Sequence, residues 1–272
     1  MRPIRARFAH NIVLIDTHCH LDAAEFDEDR TLVIQRAQQN GVAMIVVPAV
    51  QCAAFAAVLA LHEQHAACAP ALGLHPMYIH AHLPEHLAIL RATVAHQRPV
   101  AIGEIGLDLF VPGLDFNIQE YYFTEQLKIA RDFDLPVVLH SRRANDQVLK
   151  QLRHFDIRRG IAHAFSGSQQ QAEAFITQGF KLGFGGAMTY TRATNLRRLA
   201  AELPLDSIVL ETDAPDMSPA WTPHQRNCPA QLPGIAASLA ALRNCPVDII
   251  AKTTTNNALA ALPALRLLQS PI

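Results

Sequence analysis

Along this chain short apolar runs alternate with longer segments whose apolar residues recur at helical spacing. The runs fall at residues 12–16, 43–48, 69–73, 100–104, 136–140, 160–164, 180–184 and 207–211. They are nearly continuous, as in Ile45-Val46-Val47 and Val137-Val138-Leu139, the pattern of strands buried on both faces. Helical periodicity covers 29–39, 52–65, 84–96, 119–132, 144–154, 168–178 and 192–201, with 233–243 and 247–259 closing the chain. Eight strand–helix units in 272 residues predict an α/β fold of the TIM (β/α)₈ barrel type rather than an open doubly wound sheet. No Gly/Ser-rich or Pro-rich linker divides the sequence. We therefore expect one domain over residues 1–272, with residues 1–11 as a short basic tail.

In such a barrel the C-terminal ends of the strands meet at one mouth, where barrel enzymes place their chemistry. Strand one ends in Asp16-Thr17-His18-Cys19-His20 and strand four in Gly103-Glu104-Ile105-Gly106-Leu107-Asp108. Strand five ends in His140-Ser141-Arg142, strand six in His163-Ala164-Phe165-Ser166-Gly167, and strand eight in Glu211-Thr212-Asp213-Ala214-Pro215. Histidines and carboxylates from five strands would share one volume, a ligand set suited to zinc, manganese or a similar divalent ion. His18 and His20 are two apart, so on an extended segment both point the same way. One histidine at a strand end is more often structural than a ligand, but the bland reading would have to hold at five strand ends together.

A second pair, His80 and His82, lies in a Pro-flanked loop with no strand before it, and we expect it on the surface and dispensable. Asp16 and Glu211 read as buried partners that orient imidazoles or close the barrel. For His75 and Asp108, at the same mouth, ligand-shell and structural roles stand side by side. Only Lys128, Lys150, Lys181 and Lys252 are present, none at the mouth. A carboxylated lysine bridging two ions therefore has no candidate, and Glu104 is the natural bridge.

Charge narrows the partners. Lys and Arg number 23 against 24 Asp and Glu, which excludes a strongly basic nucleic-acid coat or a polybasic membrane binder. It leaves open an enzyme that handles one end of a nucleic acid. The apolar runs fall far short of the ~20 residues of a membrane span. Five scattered cysteines without a CxxC pair suggest reduced thiols and a cytoplasmic protein, and we expect a monomer.

Taken together, Asp16-Thr17-His18-Cys19-His20-Leu21-Asp22, Gly73-Leu74-His75-Pro76, Ile102-Gly103-Glu104-Ile105-Gly106-Leu107-Asp108, His140-Ser141-Arg142, His163-Ala164-Phe165-Ser166-Gly167 and Glu211-Thr212-Asp213-Ala214-Pro215 resemble the TatD family of metal-dependent hydrolases. The likeness runs in order from Asp16 to about Leu262 and, around His140 and Glu211, points to the YjjV-like branch. It implies an amidohydrolase-type barrel, deoxyribonuclease activity and two divalent cations (zinc, manganese or magnesium). By position His18, His20, Glu104 and Asp213 would hold one ion, and Glu104, His140 and His163 the other. Asp216 and Cys228 depart from the family pattern near the substrate side.

Two ions can activate water and polarise a phosphoryl oxygen. Asp213 is then the candidate general base and Glu104 the shared catalytic ligand. His75, Arg142 and Arg226 are candidate substrate contacts, with Asn227 beside Arg226, since a guanidinium fork suits phosphate. Trp221 could stack on a base, whereas Tyr190 is expected to pack. The expected substrate is DNA, single-stranded or at a 3′ end, or a small phosphodiester. Hydrolysis of a small amide, lactone or ester is the main rival, and a non-catalytic metal-holding module is the third reading.

Overall fold

The computed structural model describes residues 13–268; the basic tail expected over residues 1–11 lies outside them. Eight parallel strands, each hydrogen-bonded to the next in chain order, curl into a nearly closed barrel. They are β1 (Leu14–Asp16), β2 (Val42–Pro48), β3 (Cys68–Leu72), β4 (Ala101–Asp108), β5 (Val137–Arg142), β6 (Gly160–Ala162), β7 (Phe180–Phe184) and β8 (Ile208–Leu210). The intervening helices are α1 (Arg30–Gln39), α2 (Phe55–Gln64), α3 (Pro84–Gln97), α4 (Phe116–Asp132), α5 (Asn145–His154), α6 (Gln169–Thr177) and α7 (Thr194–Glu202). After β8 come α8 (Leu232–Arg243), α9 (Val247–Ala261) and the short α10 (Leu265–Leu268). Among the described residues no single helix is long and apolar enough to cross a membrane.

Alternate residues of each strand enter different cores, as the two-residue period requires. Leu14, Ile45, Val47, Ile102, Leu139 and Leu210 belong to the outer layer shared with the helices. Ile15, Met44, Val46, Ala71, Val138, Ile161 and Val209 form the inner cluster, completed by Leu259, Leu262 and Leu265. That C-terminal plug is fastened at the N-terminal end of the barrel. Thr255 Oγ1 donates to Val13 O at 2.8 Å, and Asn257 Nδ2 donates to Leu205 O at 2.8 Å and Ile208 O at 2.7 Å.

Two local features set up the mouth. β4 runs four residues past the predicted 100–104, because its ladder with β5 continues through Gly106↔His140, Leu107↔Ser141 and Asp108↔Arg142. Gly106 makes this possible: at φ +148 a Cβ there would sit 1.9 Å from His140 O. The seam between β1 and β8 is closed beyond the ends of both strands. Thr17 N and Oγ1 both donate to Leu210 O at 3.1 Å, His20 N to Ala214 O at 2.7 Å, and Asp213 N to His18 O at 2.9 Å. Asp16 reinforces it by accepting from Thr212 N at 2.9 Å and Thr212 Oγ1 at 2.6 Å, so it closes the barrel as one of its two expected roles.

Candidate metal centre

Glu104, only 1 % exposed, stands at the centre of the mouth. Its Oε2 lies 3.1 Å from His18 Nε2 and 3.6 Å from His20 Nε2. Its Oε1 lies 3.1 Å from both His75 Nε2 and His140 Nδ1. One carboxylate thus faces two pairs of imidazoles with two different oxygens. Asp213, held in the left-handed region at φ 55 by its backbone bond to His18, closes the other side. Its Oδ1 is 3.9 Å from His18 Nε2, 3.7 Å from His20 Nε2 and 3.6 Å from His163 Nε2.

The six expected ligands therefore converge, and His75 joins them. Their grouping differs from the expected one. Ligating atoms cluster as His18 with His20 and Asp213, as His18 with Glu104 and His163, and as His75 with Glu104 and His140. His163 stacks on His18 with ring centroids 3.5 Å apart, so it sides with the first expected ligand set, and His75, expected as a substrate contact, stands beside Glu104 and His140 where His163 was expected.

The donor set fits divalent cations. Five imidazoles and two carboxylates crowd together while His18 Nδ1 and Glu211 Oε2 find no hydrogen-bond partner. Nitrogen and carboxylate oxygen at such spacing suit zinc or manganese. The electrostatics carry the same mark. Burial alone would raise Glu104, yet His75, His18 and His140 hold it well below the usual carboxylate range. Burial, aided by His163, pushes His18 well below the usual histidine range, and burial takes His75 down to about 4. Burial also lowers His163, but Glu211 and Asp213 outweigh it and raise this group to about 10. Asp213 is raised to about 6, chiefly by burial.

A second ring of contacts fixes these side chains. His163 Nδ1 faces Glu211 Oε1 at 3.1 Å, and the same oxygen accepts from Ala164 N at 2.6 Å. Glu211 thus orients an imidazole, as its position suggested, and Gly183 leaves it room: a Cβ there would sit 2.1 Å from Glu211 Oε2. Asp108 meets His140 Nε2 at 2.9 Å and accepts from Phe110 N and Val111 N. A histidine held by a carboxylate at one nitrogen presents the other in fixed direction.

Two glutamines on the buried face of α4 were invisible to motif reasoning. Gln126 accepts from Leu74 N at 2.7 Å and donates to Leu74 O at 3.1 Å, next to His75. Gln119 does the same for Asp108, at 2.7 and 3.0 Å. Their signal was there, two amides seven residues apart on an otherwise apolar helix face. The expectation for the His80/His82 pair is half corrected. His80 is exposed, but His82 is buried, and its Nε2 donates to His75 O at 2.9 Å. The loop folds back as a 3₁₀ turn over Pro76–Ala81 and brings His82 under the site.

Among the expected substrate contacts, Arg142 is exposed at the end of β5 with its guanidinium over Phe110. Arg226 lacks the free fork expected of it. It binds both carboxylate oxygens of Asp29, at 2.9 and 2.7 Å, and also donates to Glu25 O. Asn227 is buried and donates to Thr212 O at 2.8 Å, a structural tie. Tyr190 OH donates to Ser218 O at 3.0 Å, consistent with packing, while Trp221 stays partly exposed and donates to Gln231. Lys181 donates to Asp206 O, away from the mouth.

A metal-ready cluster at the C-terminal mouth of a (β/α)₈ barrel defines a metallohydrolase class of protein, and comparison with known proteins makes it specific. The TatD related DNase family profile matches residues 15–263. The chain is 47% identical over 247 residues to the metal-dependent hydrolase YjjV of Escherichia coli K12, covering 89% of this chain and 95% of that protein. It is 32% identical over 254 residues to the 3′-5′ ssDNA/RNA exonuclease TatD of Erwinia amylovora, covering 90% and 98%. The crystal structure of E. coli YjjV superposes with a TM-score of 0.89 at 45% identity, over 92% of this chain and 98% of the other. A dihydroorotase from Campylobacter jejuni, at 12% identity and a TM-score of 0.61, over 96% and 85%, shares the fold alone. The chain belongs to the TatD family and is a metal-dependent hydrolase.

Proposed function

We propose that this hydrolase is a 3′–5′ exonuclease that cleaves phosphodiester bonds at single-stranded nucleic-acid ends through two divalent cations, zinc or manganese in preference to magnesium. The observation that carries the reading is the double-faced Glu104, with Oε2 toward His18 and His20 and Oε1 toward His75 and His140. Glu104 would serve as a carboxylate shared between two histidine groups holding two ions, and such ions would supply polarisation of a phosphoryl oxygen and activation of water. Imidazole-rich surroundings favour the softer ions over magnesium.

The chain's own residues supply the rest. Asp213 Oδ1, 3.6 Å from His163 Nε2 at the edge of the histidine cluster, is placed to accept the proton of an attacking water. Glu211 holds His163 so that Nε2 faces the centre. The exonuclease name of the Erwinia relative, at 32% identity, supports a nucleic-acid substrate, and the near-neutral charge suits an end-directed enzyme with few phosphate contacts.

The test is product analysis of purified, metal-loaded protein on 3′-labelled and 5′-labelled single-stranded oligonucleotides, alongside dipeptides and lactones. Mononucleotides released stepwise from the 3′ end are expected. Turnover of the amide or lactone substrates with inert oligonucleotides would overturn the proposal.

A further inference from the structure

Beyond the histidines, β5 ends in exposed Arg142 and is followed by Arg143, while β4 is followed by Leu109 and Phe110. The half-exposed Phe110 ring carries both guanidinium groups, Arg142 Cζ at 3.7 Å from its centroid and Arg143 Cζ at 4.6 Å. Consecutive residues of an extended strand point to opposite sides. Arg143 escapes that rule because its φ is 56, in the left-handed region, where the chain turns and lets both side chains reach one ring.

Several other arginines are paired with carboxylates: Arg91 with Asp132, Arg158 with Asp156, Arg159 with Asp134, Arg198 with Glu202 and Arg226 with Asp29. Among the described residues, Arg142 and Arg143 have no such carboxylate. The nearby Asp108 is engaged by His140 and by the Phe110 and Val111 amides. Two unpaired cations drawn over one ring repel each other, and an anion between them relieves that repulsion. A guanidinium stacked by its face keeps its N–H edge free for the forked contact that phosphate accepts.

His140 and Arg142 lie two residues apart on one strand, roughly 6.6 Å. That is comparable to the distance between successive phosphates of an extended nucleic-acid strand. We propose that Arg142 and Arg143, braced on Phe110, hold the phosphate next to the scissile one, so that the enzyme favours polynucleotides over substrates with a single phosphodiester. The inference rests on the exonuclease reading above.

Thymidylyl tri- and dinucleotides separate the two ideas, because d(TpTpT) offers this second phosphate and d(TpT) does not. With metal-loaded wild-type enzyme, kcat/KM for d(TpTpT) should exceed that for d(TpT) roughly tenfold or more, the worth of a charge-assisted contact. In the R142A/R143A double variant the ratio should collapse toward one, and F110L should lower it partway. The ratio is the readout, so a general loss of metal or folded protein cancels. A ratio that the double variant leaves at its wild-type value overturns the clamp alone. Failure of the wild-type enzyme to cleave either compound overturns the exonuclease reading and the clamp with it.

Discussion

At the N-terminal end of the barrel the inward positions are Ile15, Met44, Ala71, Val138, Ile161 and Val209, closed off by Leu259, Leu262 and Leu265. A few residues further along the same strands stand His18, Glu104, His140 and His163. All four are at least partly buried, and Glu104 and His18 fully so. The first end is stabilised by burial itself. The second gathers groups whose burial is unfavourable unless something of opposite charge completes them. The molecule keeps the two apart along one barrel axis, so changes at either end should have separable consequences.

The largest effect is expected at Glu104. Glu104→Gln removes the charge that four imidazoles share and should strip metal from both halves of the centre. Activity should fall beyond the ~10⁴-fold upper range of a single positioned base. Elemental analysis of the purified variant checks this, and near-normal metal content would show that Glu104 is not the shared ligand. Asp213→Asn should act more narrowly, with kcat down ~10²–10⁴-fold, KM little changed and one ion partly lost. Normal kcat at saturating metal would remove Asp213 from the chemistry.

The opposite end should respond in stability instead. Leu262 is fully buried in the plug, and Leu262→Ala should cost ~2–5 kcal/mol in denaturant melts. The folded fraction should keep its full metal content. Metal loss from protein that is still folded would mean that the two ends are coupled. Beneath the mouth, His82→Ala removes one of the two donors to His75 O, leaving Tyr78 N at 3.0 Å, and should cost ~0.5–1.5 kcal/mol. His80→Ala should stay within ~0.5 kcal/mol. Equal thermal shifts for the two would put the strut elsewhere.

The apolar end was easier to read in the sequence than the polar one. Continuous runs such as Ile45-Val46-Val47 announce a strand buried on both faces, and all eight strands lie where such runs do. Strand ends carrying His18, His20, Glu104, His140, His163 and Asp213 announced the cluster, because a barrel topology brings strand ends together whatever their separation in sequence. What stayed hidden depended on exact backbone paths. The predicted strand stopped at residue 104, because only the pairing of Gly106, Leu107 and Asp108 with β5 carries β4 on to Asp108. The tight turn after Pro76 carried His82 inward when its Pro-flanked setting argued for the surface. Arg226 looked available until the fold placed Asp29 against it. Which of these side chains group together turned on contacts such as the ring stacking between His18 and His163, which spacing cannot supply.

The smallest expected effect, and the finest test of the contrast, is a pH dependence confined to the polar end. In the metal-free protein His163 is raised to about 10 from an ordinary value of 6.5. A folded-state value above the unfolded one gives stabilisation that is complete below 6.5 and is lost as pH rises through about 10. His75 runs the other way. Lowered to about 4, it makes the folded state less stable as pH falls from 6.5 toward 4, because only the unfolded chain then takes up its proton. For these two groups, chelated protein should therefore be most stable near neutrality and lose stability on both sides. Metal must displace the His163 proton to use Nε2, so binding should release protons and tighten as pH rises, by up to about tenfold per pH unit for one proton. Calorimetric titration of metal into chelated protein, in buffers of differing ionisation heat, counts those protons. Melting curves across the same range, with and without metal, should show the alkaline loss only in the chelated sample. Proton uptake on binding, or an alkaline loss identical in both samples, would mean that His163 is no ligand and that the polar end is held together by its own ion pairs.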